Sequence, residues 1–160
     1  MSTSAEQVDL VADALQVEPT RVRFVSREIL GEGSVTGFEI AGEVPLLAYV
    51  DTSQMSVAEE TGWVWEGHAR VWVHPSDPHL PALASTAFGD AAAILLSRVG
   101  KTAMAAPEMI GYRPGRRAVL RVATSDAAVW MKVVRPRRIE AIVDAHKRLA
   151  EAGVPVPEIL

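Results

Sequence analysis

Val8, Val11, Ala12 and Leu15 recur at helical spacing, which predicts a short amphipathic helix over residues 5–15, with Ser4 and Gln7 as a capping box and Pro19 beyond its end. From there to Val73 the period shortens to two. RVRFVS at 21–26, SVTGFEIAG at 34–42, PLLAYVDTS at 45–53 and GWVWEGHARVWV at 62–73 read as an antiparallel meander of four or so strands, with a Gly-Glu-Gly turn at 31–33. HPSDPHLP at 74–81 holds three prolines and reads as loop, and Asp90 is placed to cap a helix over 91–96 that Gly100 stops. A second unit begins near Ala106. MIGY at 109–112, AVLRVA at 118–123 and AAVWMKVV at 127–134 read as three consecutive antiparallel strands. A helix over 137–151 follows, with Ile139, Ile142, Val143, His146 and Leu149 on one face. The pattern therefore predicts an α+β chain, with a β-rich unit over 1–105 and a smaller antiparallel unit over 106–160, divided around 100–107. There is no internal repeat.

Composition adds bounds. With 160 residues, 49% of them hydrophobic and 22% charged, the chain can build its core without staples. It has no cysteine, which removes disulfides and thiolate metal sites and makes a cytoplasmic location the simplest reading. The acidic, polar first fifteen residues do not resemble a secretion signal, and no apolar run is long enough to span a bilayer. The net charge of −4 argues against a general nucleic-acid binder. The local distribution differs: Arg113, Arg116, Arg117 and Arg135, Arg137, Arg138 form two clusters with Lys132 between them. Such clustering fits a small anionic ligand, or else a solvated basic face.

Chemistry concentrates in two stretches. In AVWMKVVRP at 128–136, strand alternation puts Trp130, Lys132 and Val134 on one face and Val129, Met131 and Val133 on the other. Lys132 either lays its stem along an apolar face with its head in water, or aims its ammonium at phosphates. In Tyr112–Arg117, Pro114 and Gly115 enforce a reversal whose amides and arginines can face an anion; the bland reading is a plain hairpin turn with a basic surface. His74, Asp77 and His79 offer at best three metal ligands on one loop, short of a convincing site. Trp63, Trp65 and Trp72 suit packing better than a sugar platform, and His146 suits a core position. No hydrolase triad, Walker loop or dinucleotide GxGxxG is present.

Taken in order, YRPGRRAVLRV at 112–122, VWMKVVRP at 129–136 and LAEAGVPVPEIL at 149–160 give turn, strand, turn, strand with interior lysine, helix and GVPVP. This layout, spanning about a third of the chain, resembles the N-terminal lobe of the aminoglycoside phosphotransferase and choline kinase family, relatives of the protein kinases. The first 105 residues are similar to the cap subdomain of actinobacterial maltokinase-type enzymes. The resemblance implies ATP as nucleotide. It makes Lys132 the lysine that contacts the phosphates and Gly115, Arg116 and Arg117 the turn that covers them, with Val119 and Met131 bordering the adenine. It also implies an acid on the following helix that orients the lysine. That position falls near Ile142, so Asp144 or Glu140 would have to serve. The family's catalytic loop and magnesium-binding acid lie in a second lobe, and no HGD-, HRD- or DFG-like sequence occurs in these residues. The expectation is thus the nucleotide-binding portion of a small-molecule phosphotransferase, not catalytic alone, acting with magnesium on a hydroxyl of an aminoglycoside, sugar or related metabolite through a missing lobe. It would have no nucleic-acid or membrane partner. The alternative is a noncatalytic binding or assembly module, open to self-association.

Overall fold

A computed structural model describes residues 4–160. Helix α1 (Ser4–Leu15) leads into a five-stranded antiparallel sheet of β1 (Val22–Leu30), β2 (Gly33–Ile40), β3 (Leu46–Asp51), β4 (Trp63–Trp65) and β5 (Ala69–Val73), in the order β1-β2-β3-β5-β4. Helices α2 (Ala82–Ala87) and α3 (Gly89–Ser97) follow. The second sheet is β6 (Glu108–Arg113), β7 (Arg117–Ala123) and β8 (Ala128–Val134), antiparallel in chain order, and α4 (Ile139–Glu151) closes the chain's regular structure. The α+β class is as the pattern predicts.

Alternation along the central strands decides what covers each face. Phe38, Ala48, Val50 and Val71 point to one side, where Val11 and Ala12 of α1 meet them. Val35, Tyr49 and Trp72 point to the other, where Tyr112 of the second unit packs. Both faces are covered, so β2 is buried nearly end to end, whereas a solvent-facing strand would alternate. Gly37 leaves room on the second face: a Cβ there would lie 3.0 Å from Tyr49 Cε1 and 2.7 Å from Ser26 Oγ.

Four local readings are corrected. Residues 62–73 are two strands, because Glu66 and Gly67, both at positive φ, reverse the chain and β5 enters beside β3. Residues 82–87 form α2, a helix of six residues too short to display a period, whose Leu83 joins Leu80 against Ala118, Leu120 and Val133 of the second sheet. Asp90 lies in the first turn of α3, while Phe88 occupies the N-cap position without a side-chain cap. The last helix starts at Ile139, because Pro136–Arg138 wind as a separate 3-10 turn. The side chain of Ser4, half of the expected capping box, lies outside the described residues. The division near 105 separates the two sets of strands, yet Leu80 and Leu83 from before it complete the second sheet's core.

The tryptophans divide the same way. Trp72 is 1% exposed and stacks on Tyr49, with ring centroids 5.7 Å apart, whereas Trp63 and Trp65 on the edge strand are 53% and 50% exposed. Trp72→Ala should therefore cost about 3–5 kcal/mol of unfolding free energy. Trp63→Ala should cost no more than about 0.5 kcal/mol. Urea titrations followed by far-ultraviolet circular dichroism test the contrast, and equal losses would refute this assignment of the core.

Candidate functional site

Register places the chemistry. Val119 pairs with Lys132, Arg117 with Val134 and Arg121 with Trp130, so these six share the open face of the second sheet. Met131 pairs with Leu120 on the opposite face, packed against the Leu80 and Leu83 cluster. Val119 thus flanks Lys132 as the adenine reading requires, and Met131, on the wrong side of the sheet, does not.

Beside Lys132 opens a cleft of about 310 Å³, lined by Arg113, Arg116, Arg117, Lys132, Arg135, Arg137 and Arg138 together with Val134 and Ile142. No carboxylate lines it. Glu140 and Asp144 are exposed on α4, neither reaches the cleft, and neither pairs with Lys132. The helix residue that does reach it is Ile142, the position at which the resemblance calls for an acid. Among the described residues the side chains of Lys132, Arg117, Arg137 and Arg138 make no hydrogen bond or ion pair. Like charges this close raise one another's energy, and a bound anion removes that cost.

The other cationic groups are held. Arg113 pairs with Glu28 at 2.7 Å, and Arg116 Nη2 donates to the Ile29 carbonyl at 2.5 Å; both contacts reach the end of β1. Arg135 Nε donates to the Gly115 carbonyl at 2.6 Å. Burial, then Arg137 and Arg116, hold the Arg135 guanidinium below its ordinary pKa, against the pull of Asp77 and Asp51.

Gly115 is engaged as structure. Its φ is +67°, and a Cβ would stand 2.6 Å from Leu30 Cδ2 and 3.2 Å from His79 Cδ2. Its N–H donates to Asp77 Oδ2 at 2.7 Å. The Gly115 amide is therefore used on the first unit and its carbonyl on Arg135, and what the turn offers the cleft is the side chains of Arg116 and Arg117.

Asp77 belongs to a buried polar network that sequence reasoning missed. Its Oδ2 also accepts from Tyr112 Oη at 2.8 Å, and its Oδ1 accepts from the His79 N–H at 2.9 Å. His79 Nε2 lies 2.7 Å from Asp51 Oδ2, and Asp51 Oδ1 accepts from the Ser53 N–H at 2.7 Å. Burial would raise the Asp51 pKa, but the hydrogen bonds from His79 and Ser53 outweigh it and the net shift is downward. Burial, with Asp77 nearby, pushes Tyr49 up to about 12 and Tyr112 further upward, so both stay protonated. His74 is driven below its ordinary pKa by burial, against the pull of Asp77. His74, Asp77 and His79 do not converge as ligands: among the described residues no group of three His, Asp or Glu is arranged to hold a metal ion. The only sequence hint was acid at buried positions, Asp51 ending an apolar strand and Asp77 between prolines. His146, expected in the core, is half-buried on α4, with Nδ1 unpartnered.

No family model, curated protein or solved structure matches this chain. Among the described residues no helix is long and apolar enough to cross a membrane. The site is therefore read from its chemistry, and that chemistry is a concentration of positive charge with no carboxylate beside it; the cleft contains no paired nucleophile and base.

Two outcomes follow from the network. Asp77→Ala leaves the Gly115 amide and the Tyr112 hydroxyl without their acceptor and should cost about 2–5 kcal/mol in urea unfolding at pH 7. Asp51 has a folded pKa below its ordinary 3.8, so its contribution is fully present above that value and is lost as pH falls through the folded one. Stability measured by urea titration should decline as the solution is acidified below about pH 4, and Asp51→Asn should start lower at pH 7 and show a shallower decline.

Proposed function

We propose that this chain is the nucleotide-binding portion of an ATP-dependent small-molecule phosphotransferase, one that phosphorylates a hydroxyl of an aminoglycoside, sugar or related metabolite and does not catalyse alone. The observation that carries the reading is the carboxylate-free cleft around Lys132, in which six arginines and a strand lysine face one space. Lys132, Arg117, Arg137 and Arg138 are the side chains free to take phosphate oxygens, with Arg116 beside them. Val119, next to Lys132 on the open face, supplies an apolar border for a base. ATP brings the transferable phosphoryl group. The cleft has no oxygen donor set for magnesium, so on this reading the metal's protein ligands come from another lobe.

A second reading is a noncatalytic binding or assembly module on the same fold. Ile142 supports it, because the lysine–acid pair of an active kinase lobe is absent at that position. So does the Gly115 amide, which is used within the chain and cannot cover a phosphate.

A titration with magnesium-ATP, followed by amide chemical shifts, separates the two. On the nucleotide reading, shifts localise to residues 113–122 and 129–135, and Lys132→Ala weakens binding about tenfold. Ile142→Glu, which sets a carboxylate against Lys132, should weaken binding to a similar degree. Absence of shifts at millimolar nucleotide would overturn the nucleotide reading for this chain.

A further inference from the structure

Where the loop after β3 meets the start of α4 there is a second cavity of about 180 Å³, lined by Ser56–Ala58 and His79 from the first unit and by Arg135–Arg137 from the second. It is smaller than the roughly 300 Å³ at which drug-sized ligands begin. At liquid density it would hold about six waters, so it suits one small group and its hydration, not a nucleoside.

Its electrostatics are unbalanced. Arg135 uses Nε on the Gly115 carbonyl, but its Nη2 is shielded from solvent and has no partner. The carboxylates that act on Arg135 are engaged with other groups and make no hydrogen bond to it. Asp77 accepts from His79, Tyr112 and Gly115, and Asp51 accepts from Ser53 and pairs with His79. Arg137 stands beside Arg135 and is unpaired. The Ser56 hydroxyl bonds to nothing among the described residues, and no carboxylate lines the cavity. Two guanidinium groups side by side raise one another's energy, and an anion held between them removes that cost. Two arginines and a hydroxyl lining one small space are the donor types that a tetrahedral oxyanion takes.

We propose that this cavity is a second anion site, adjoining the cleft through Arg135 and Arg137, which takes a single oxyanion group: inorganic phosphate or the phosphoryl end of a small phosphate ester. The site shares Arg135 and Arg137 with the cleft but neither Lys132 nor Arg117, so substitution at Lys132 tests the nucleotide reading without removing a lining residue of this cavity.

Inorganic phosphate titrated into the whole chain, with amide chemical shifts as readout, is the test. Saturable shifts at residues 56–58 and at Arg137 are expected, with a midpoint unchanged within about twofold in Lys132→Ala and raised at least about tenfold in Ser56→Asp. Ala58→Glu, a second carboxylate at an exposed position, should do the same and guards against a folding defect in the first variant. Shifts confined to the neighbourhoods of Lys132 and Arg117, or a midpoint indifferent to both introduced carboxylates, would overturn the site. Repeating the titration with glycerol phosphate identifies the source. Tighter binding than inorganic phosphate assigns an ester, and equal or weaker binding assigns the free ion; in both cases the response at 56–58 supports the site.

Discussion

One carboxylate fixes the relation between the two sheets. Asp77 accepts from the His79 amide within its own loop and from the Gly115 amide and Tyr112 hydroxyl of the β6–β7 hairpin. A buried carboxylate with three donors is worth far more than an exposed ion pair, because its partners cannot turn to water instead. The consequence runs outward. Gly115, held by its N–H, presents its carbonyl to Arg135, and Arg135 sets the start of the Pro136–Arg138 turn that leads into α4. The basic cleft and the smaller seam cavity are both arranged around this line of contacts.

Placement of the cations follows from the same constraint. The first unit is acidic and the second basic, and the two meet through Glu28 with Arg113 and the Ile29 carbonyl with Arg116. Those contacts use two arginines to join the units and leave Lys132, Arg117, Arg137 and Arg138 unpaired on the open side. Exposed cations cost little in water, whereas several around one concavity focus their field on whatever enters it. The arginines thus divide between those that join the two units and those left open to solvent.

How much of this was legible in the sequence depends on how local the signal is. The three strands of the second sheet and the side of β8 that carries Lys132 follow from period and spacing, and the structure has them. The β4–β5 hairpin was hidden because Trp63, Trp65 and Trp72 look alike to a periodicity argument, although only Trp72 is covered. Helix α2 was hidden because six residues do not complete a pattern. The Asp51–His79 and Asp77–Gly115 bonds join residues 28 and 38 positions apart, and no local rule reports a pairing of that kind. The turn at Gly115 shows the limit most plainly. Pro-Gly beside arginines was readable as an anion loop or a hairpin, and the choice depended on Leu30 and His79 standing within contact of the glycine.

Ile142 bears on the chemistry of the cleft in a direction the family analogy does not suggest. An acid there would neutralise Lys132 in the absence of ligand and would need to be displaced or shared when phosphate arrives. With isoleucine the lysine has no competitor, so the full attraction is available to an anion, at the cost of leaving the ammonium less precisely held. Nothing on α4 is fully buried, and the helix is joined to the sheet through the Pro136–Arg138 turn. Arg135 and Arg137 line both cavities. A negative charge in either one therefore diminishes the field in the other, and by linkage the effect is reciprocal. The physical character of this region is a set of cations, four of them without a protein partner among the described residues, gathered around one concavity.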